Sequence, residues 1–296
     1  MQGVLSLWVC THLLLFGLTL AVPAIKERSV SPDLFWRLNL FEQYSAAAHC
    51  TNNIAGGGTP APGTRVTCPP GNCPLVEAAT TTMLTEFTDS GITGVTGFVA
   101  ADATNNLVVV SFRGSVSANN WIIDFLVDLV DTGLCSGCKA HTGFWISWAA
   151  ARNQVLNAIT TGMNLYPGYQ LVVTGHSLGA AIATLAAAEL RNSGHTVALY
   201  NYGSPKVGND ALAVHVTNQP GGNFRVTHTD DPAPRFPLLN LYEHINPEYW
   251  ITTGNNVAVT AADIQYLPNG GGDVGATLGL DFAAHGWYFN NIIACS

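Results

Sequence analysis

The sequence predicts one α/β domain in which a mainly parallel central sheet carries helices on both faces. Apolar segments of strand length alternate with helical segments along most of the chain, an order typical of a parallel sheet. The 296 residues are 48% hydrophobic and 10% charged, which suits a single well-filled core. Neither an internal repeat nor a long linker divides the sequence. In such sheets, functional residues gather at the carboxyl ends of the strands.

The individual elements follow from hydrophobic periodicity and from turn residues. An amphipathic helix is predicted over 32–48, where Leu34, Leu38, Phe41 and Tyr44 recur at helical spacing. A long helix is predicted over 144–163, because Pro167-Gly168 follows and stops it. Strands are predicted at 95–101, 107–112, 171–174, 197–202 and 224–229, and further helices at 180–191 and 211–216.

The first residues are expected to be removed from the mature protein. Residues 4–22 are apolar apart from small polar residues and His12, so we predict a signal peptide over 1–21 and a short pro-segment over 22–28. No Lys or Arg precedes the apolar run, which is a point against a signal peptide. A retained membrane anchor is the alternative, because the length of the run approaches that of a membrane span. The mature chain is then a single domain spanning 29–296.

The cysteines indicate an oxidising compartment. Of the seven, Cys10 lies in the predicted signal peptide, and the remaining six form an even set. Cys135 and Cys138 form a Cys-x-x-Cys pair, a spacing that is also typical of redox and zinc sites. No second such pair or matching His pair accompanies them, which favours a structural disulfide. Two pairs close tight loops and the third would tie the first long helix to the end of the chain: Cys68 with Cys73, Cys135 with Cys138, and Cys50 with Cys295.

Charge limits the classes of partner. The formal net charge is −8, with only 11 Lys and Arg and no basic cluster. This balance argues against nucleic acid and against strongly anionic membranes, because both attract basic surfaces. A neutral surface remains compatible with the charge.

The pentapeptide Gly175-His176-Ser177-Leu178-Gly179 is the strongest functional motif. A buried-type strand at 171–174 leads into it and an Ala-rich helix follows, which is the context of a serine nucleophile on a sharp turn. The glycines are needed because a Cβ on either flank would crowd the turn. A purely structural turn is the alternative.

A serine on this turn needs a base and an acid, expected in the chain order Ser, Asp or Glu, His. His285 lies in a late loop among small residues, and His244 is its rival. Asp230 and Asp231 directly follow strand 224–229, and spacing alone does not choose between them.

An oxyanion hole also needs two donors. We expect the backbone N–H of Leu178 and the N–H and hydroxyl of Ser115, which follows strand 107–112. A simple turn at Gly114-Ser115 is the alternative for the second donor.

Taken together, these residues resemble the secreted fungal class 3 lipases over nearly the whole mature chain, from about Leu34 to Cys295. The resemblance is carried by the following segments: Asp33-Leu34-Phe35, residues 39–48, residues 111–115, Asn120-Trp121-Ile122, the pentapeptide 175–179, Thr227-His228-Thr229, Asp231, Pro234-Arg235, residues 247–251, Ala284-His285 and Trp287-Tyr288-Phe289. Ala180 departs from the pattern, since these lipases often carry a glycine there.

The resemblance implies an α/β-hydrolase fold with a short helical lid, and a catalytic triad of Ser177, Asp231 and His285. It places the oxyanion donors on Ser115 and Leu178, implies the three disulfides given above, and implies no metal or organic cofactor. The expected function is a secreted, extracellular triacylglycerol lipase that acts on esters at a lipid–water interface. The protein is further expected to be a monomer without a membrane span in its mature chain and without a nucleic-acid partner.

The lid is expected directly after Ser115, over residues 117–126. On a helix, Trp121 with Phe125 and Ile122 with Leu126 form apolar i,i+4 pairs on one side. Opening such a lid in water exposes several large side chains at about 1.5–3 kcal/mol each, a cost that an oil surface removes. A short buried helix is the alternative for this segment. The other functional alternatives are a feruloyl or short-chain esterase and a catalytically silent lipid-binding module.

Overall fold

The computed structural model describes residues 29–54, 61–88, 93–115, 128–272 and 281–296. The predicted signal peptide, pro-segment and lid lie outside these residues. The helices are α1 (Pro32–Ala47), α2 (Pro74–Ala78), α3 (Thr142–Leu165), α4 (Leu178–Asn192), α5 (Asp210–Asn218) and α6 (Phe282–His285). The strands are β1 (Thr81–Thr88), β2 (Thr96–Asp102), β3 (Leu107–Phe112), β4 (Leu129–Asp131), β5 (Lys139–His141), β6 (Gln170–His176), β7 (Val197–Tyr202), β8 (Asn223–His228), β9 (Glu248–Ile251) and β10 (Ile264–Leu267).

Eight strands form the main sheet in the order β1-β2-β3-β6-β7-β8-β9-β10, and β4 and β5 form a separate hairpin. The five strands β3, β6, β7, β8 and β9 run parallel, while β1, β2 and β10 add antiparallel pairs at the two edges. The predicted parallel core of the sheet is therefore confirmed.

Helices cover both faces because side chains alternate along the central strands. Val108, Val110 and Val173 point to the face covered by α3, α4 and α5. Val109 and Val172 point to the opposite face, where α1 packs. The near-continuous apolar runs of β3 and β6 are those of strands buried on both faces.

Local sequence explains where α1 begins. Pro32 occupies its first turn, where a missing N–H costs nothing, and the Ser31 hydroxyl accepts a hydrogen bond from Leu34 N at 3.2 Å. Along its length, Leu38, Phe41 and Tyr44 are buried, in agreement with the predicted apolar face.

All three predicted disulfides are present, and they join Cys50 to Cys295, Cys68 to Cys73, and Cys135 to Cys138. The first of them fastens the end of α1 to the segment that follows α6. In the part of the chain that the structure describes, none of the helices has both the length and the apolar character needed to cross a membrane.

Candidate active site

Ser177 stands between the end of β6 and the first residue of α4, on a turn with φ 59° and ψ −126°. Only a tightly packed turn holds a non-glycine residue in this region, since the conformation is strained. A Cβ on Gly175 would approach the carbonyl oxygen of Gly179 to 2.5 Å, and a Cβ on Gly179 would collide with the carbonyl oxygen of Phe112. Both flanking glycines are therefore required by backbone contacts.

The serine, one histidine and one aspartate form a continuous hydrogen-bonded line. His285 Nε2 lies 2.8 Å from Ser177 Oγ, and His285 Nδ1 lies 2.9 Å from both carboxylate oxygens of Asp231. All three side chains are buried. Because an ionised carboxylate only accepts hydrogen bonds, Nδ1 carries the proton and Nε2 is free to accept the serine proton.

Asp231 is held by two further donors. Its Oδ1 accepts from Ala233 N at 2.8 Å, and its Oδ2 accepts from the hydroxyl of Tyr288 at 2.6 Å. These bonds orient the carboxylate toward His285 and supply the hydrogen-bond donors that water would provide to an exposed carboxylate. Sequence reasoning did not assign Tyr288 this contact; the available signal was an aromatic residue with a hydroxyl three positions after His285.

The two alternatives that the sequence left open lie elsewhere. Asp230 is about one-third exposed, and its carboxylate pairs with Arg235 at 3.4 Å. His244 Nε2 donates to the carbonyl oxygen of Pro234 at 2.6 Å and belongs to a different hydrogen-bonded group. The structure thus brings together Ser177, His285 and Asp231, and neither alternative.

The segment expected to supply the second oxyanion donor runs directly beside the serine turn. A Cβ on Gly114 would lie 3.1 Å from Ser177 Cβ and 2.8 Å from the carbonyl oxygen of His176. Ser115 follows at once and is half-buried. Leu178 begins α4, and the first N–H groups of a helix have no intrahelical acceptor, so its N–H is available to a developing negative charge.

Gly203 marks a close approach that sequence reasoning missed. It follows β7 with φ +59°, and an added Cβ would lie 2.6 Å from Tyr288 Oη, 2.9 Å from Asp231 Oδ2 and 3.1 Å from His285 Cε1. Any side chain here would enter the hydrogen-bonded line itself. A glycine directly after a buried strand was the only available signal.

Trp121, Ile122, Phe125 and Leu126, the predicted lid residues, lie outside the described residues. Among the residues that are described, no group of three or more His, Cys, Asp or Glu side chains could hold a metal ion.

A serine turn at the carboxyl edge of a mainly parallel sheet, backed by a buried histidine and aspartate, defines a serine ester hydrolase of the α/β-hydrolase fold. Sequence comparison narrows the class. The family described as lipase (class 3) matches residues 109–241, and the lipase 3 N-terminal region matches residues 9–85. The chain belongs to the class 3 lipase family, and it is a lipase.

Individual relatives cover almost the whole chain. Secreted mono- and diacylglycerol lipase A of Penicillium camembertii is 44% identical over 277 residues, covering 91% of this chain and 89% of that protein. Secreted mono- and diacylglycerol lipase 1 of Fusarium solani is 36% identical over 299 residues, covering 95% and 86%.

Solved structures show the same similarity. The mono- and diacylglycerol lipase of Aspergillus oryzae superposes with a TM-score of 0.82 at 43% identity, covering 88% of this chain and 98% of that one. A triacylglycerol lipase described as having a serine protease triad superposes with a TM-score of 0.78 at 27% identity, covering 91% and 99%.

Proposed function

We propose that the protein is a secreted, extracellular acylglycerol lipase that cleaves ester bonds with a triad of Ser177, His285 and Asp231. The observation that carries this proposal is the position of His285, with one ring nitrogen on the serine and the other on the aspartate. Nucleophile, base and orienting acid are within hydrogen-bond reach of one another, as acyl transfer requires. Because all three belong to one chain, we propose the monomer as the functional unit.

In the first half of the reaction, Ser177 Oγ attacks the ester carbonyl carbon as its proton passes to His285 Nε2. Asp231 stabilises the imidazolium that forms. The oxyanion is met by the Leu178 N–H, with Ser115 as the second donor, and each such donor contributes about 2.7–4 kcal/mol to the barrier reduction. His285 then gives the proton to the leaving glycerol oxygen, and the acyl group stays on Ser177.

In the second half, water replaces the alcohol. His285 Nε2 takes a proton from the water as its oxygen attacks the acyl carbon, and a second oxyanion forms in the same place. Collapse of this intermediate returns the proton to Ser177 Oγ and releases the fatty acid. The two halves together consume one ester and one water and release one alcohol and one fatty acid, and His285 carries the proton in each half.

We propose mono- and diacylglycerols as the preferred substrates. The relatives with this printed name are 44% and 36% identical, whereas the triacylglycerol lipase of known structure is 27% identical. Triacylglycerol, the substrate expected from the sequence, is the second candidate. Initial rates on matched emulsions of mono-, di- and trioleoylglycerol distinguish the two, and a highest rate on trioleoylglycerol would reverse the order.

A lipid–water interface is the proposed partner of the site. Beyond the predicted lid, the loop after Asp231 carries Leu238, Leu239 and Leu241, which are 71%, 42% and 62% exposed. This loop leaves β8 at its carboxyl end, the same edge of the sheet as Ser177, and we infer that its exposed leucines take part in the contact with lipid. The acidic net charge suits a neutral surface better than an anionic one.

The direct test uses Ser177→Ala. Substitution of a triad serine lowers turnover by about 10⁶-fold in a comparable enzyme, and we expect a similar loss here on dissolved ester and on emulsion alike. Circular dichroism and the unfolding midpoint check that the fold persists. A folded Ser177→Ala protein with native activity would refute the proposed mechanism.

A further inference from the structure

Two histidines that the triad does not use lie buried in line with His285. His176, the residue before the serine, is 1% exposed, and His49, which follows α1, is 2% exposed. His176 Nε2 is 2.8 Å from the backbone carbonyl oxygen of His285, and His176 Nδ1 is 3.4 Å from His49 Nε2. His49 Nδ1 in turn is 2.9 Å from Ser296 Oγ.

The carbonyl at one end fixes the direction of every hydrogen bond in this row. A carbonyl oxygen only accepts, so His176 Nε2 must carry a proton and donate it to His285. Neutral His176 then accepts at Nδ1, which requires His49 Nε2 to donate. His49 therefore accepts at Nδ1, and the hydroxyl of Ser296 donates. Burial lowers the pKa of His176 well below its usual value and the pKa of His49 to about 3, consistent with two neutral rings.

The accepting carbonyl needs such a donor. His285 is the last residue of α6, a helix of four residues, and the last carbonyls of a helix have no intrahelical partner. Left without a donor in a buried position, this carbonyl would lose the free energy of a hydrogen bond, and the end of α6 would shift to recover it. The backbone that carries the imidazole of His285 therefore depends on the orientation of His176.

His176 also contacts the other parts of the site. Its ring packs against the ring of His285, with centroids 4.6 Å apart and planes inclined by 37°. A Cβ on Gly114 would lie 3.3 Å from His176 Nδ1, so the ring also borders the segment that leads to Ser115. Its own backbone ends β6 immediately before Ser177. The side chain of His176 thus contacts the helix that carries the base and the segment that leads to Ser115, and its backbone is continuous with the nucleophile.

We propose that His176 is a positioning residue for catalysis: its Nε2–H holds the backbone carbonyl of His285 and thereby keeps the imidazole of His285 aligned with Ser177. His49 and Ser296 serve this role by fixing the tautomer of His176. The proposal rests on the proposed function, since it assumes that His285 is the catalytic base. It differs from a packing role because it depends on one donor atom at one place.

The test compares side chains that do and do not reach the carbonyl. His176→Phe keeps an aromatic ring against His285 but has no donor. His176→Gln places an amide donor near the position of Nε2, whereas His176→Asn is one methylene shorter and stops near the position of Nδ1. The matched control is His244→Phe, which removes another histidine-to-carbonyl hydrogen bond, the one to Pro234 O. Kinetics are measured on a dissolved short-chain ester.

We expect His176→Phe and His176→Asn to lower kcat by about 10- to 100-fold, since small displacements of a catalytic group have effects of this size. KM should stay within about twofold, because the substrate contacts are untouched. His176→Gln should restore kcat to within about threefold of the native value, and His244→Phe should lower the unfolding midpoint without lowering kcat.

Native kcat in a folded His176→Phe or His176→Asn protein would overturn the inference. So would a His176→Gln protein as slow as His176→Asn at equal stability, or an equal kcat loss in His244→Phe. If His176→Phe does not fold, the comparison of kcat between His176→Asn and His176→Gln tests the inference instead. An active Ser177→Ala protein would instead refute the proposed function, whereas an inactive Ser177→Ala with a fully active His176→Asn would refute this inference alone.

Discussion

The buried His49 predicts a specific loss of stability in acid. Its pKa is lowered from 6.5 to about 3, chiefly because burial disfavours the charged ring, with Arg113 and His285 contributing in the same direction. The folded protein therefore keeps His49 neutral at pH values where the unfolded chain binds a proton. A depressed pKa of this kind contributes stability that is present above pH 6.5 and lost as the pH falls toward 3.

The magnitude at pH 5 follows from the unfolded chain. At pH 5 the histidine of the unfolded chain is almost fully protonated, whereas that of the folded protein is neutral. His49 alone should therefore lower the free energy of unfolding at pH 5 by about 2 kcal/mol relative to pH 7. This figure depends little on the folded pKa, because pH 5 lies well above it. The pKa of His176 is also lowered, so His176 should lower the free energy of unfolding in acid in addition to the effect of His49.

The perturbation is His49→Gln, which retains a donor toward His176 and an acceptor for Ser296 but does not titrate. Free energies of unfolding are measured in urea at pH 7 and at pH 5, followed by tryptophan fluorescence. The free energy of unfolding should fall between pH 7 and pH 5 by about 2 kcal/mol less in His49→Gln than in the native protein. Ser296→Ala is the control, since it removes the hydrogen bond to His49 and leaves the imidazole. Equal losses of unfolding free energy between pH 7 and pH 5 in the native and His49→Gln proteins would contradict this prediction.

Three further substitutions test the immediate surroundings of the triad. Tyr288→Phe removes the 2.6 Å hydrogen bond to Asp231, and urea unfolding should show a loss of about 1.5–3 kcal/mol together with a lower kcat. Gly203→Ala places a methyl group among the triad atoms, so kcat on a dissolved ester should fall by about 100-fold or more; a native rate would show that the close approach is not maintained in solution. Ser115→Ala should lower kcat by about 10²- to 10³-fold with little change in unfolding midpoint, whereas a matched loss of stability and activity would make Ser115 a turn residue only.

Local sequence was sufficient for the central strands and the helices that pack on them, but not for α6. His285 was expected in a loop, whereas it is the last residue of this four-residue helix. The central strands and their helices lie within two residues of the predicted bounds. Apolar runs such as Val108 to Val110 and Leu171 to Val173 made this possible, because they are buried on both faces. Strand β1 was not predicted. Its apolar residues do not alternate strictly, because Met83 and Leu84 are adjacent, and the pairing register with β2 shifts at this point. The four-residue strands β9 and β10 were too short to give a pattern.

Choices that depend on turn geometry could not be made from the residues alone. Asp230 and Asp231 have the same chemistry and adjacent positions. Thr229, with φ 33°, and the hydrogen bond from Asp231 N to His228 O turn the chain so that the second carboxylate faces His285. The resemblance to fungal lipases indicated Asp231, but spacing did not. The contacts of Tyr288 and His176 likewise join segments more than 50 residues apart, which no local pattern records.

The central claim is that His285 activates Ser177 as the nucleophile. The most direct measurement is mass spectrometry of the protein after reaction with a phosphonate ester that captures activated serines, alongside residual activity on a dissolved ester. We predict one adduct per chain, located on the peptide that contains Ser177, with activity lost in proportion to labelling, and a far slower reaction in His285→Ala. An adduct on another residue, or a protein fully labelled at Ser177 that still hydrolyses ester, would contradict the claim.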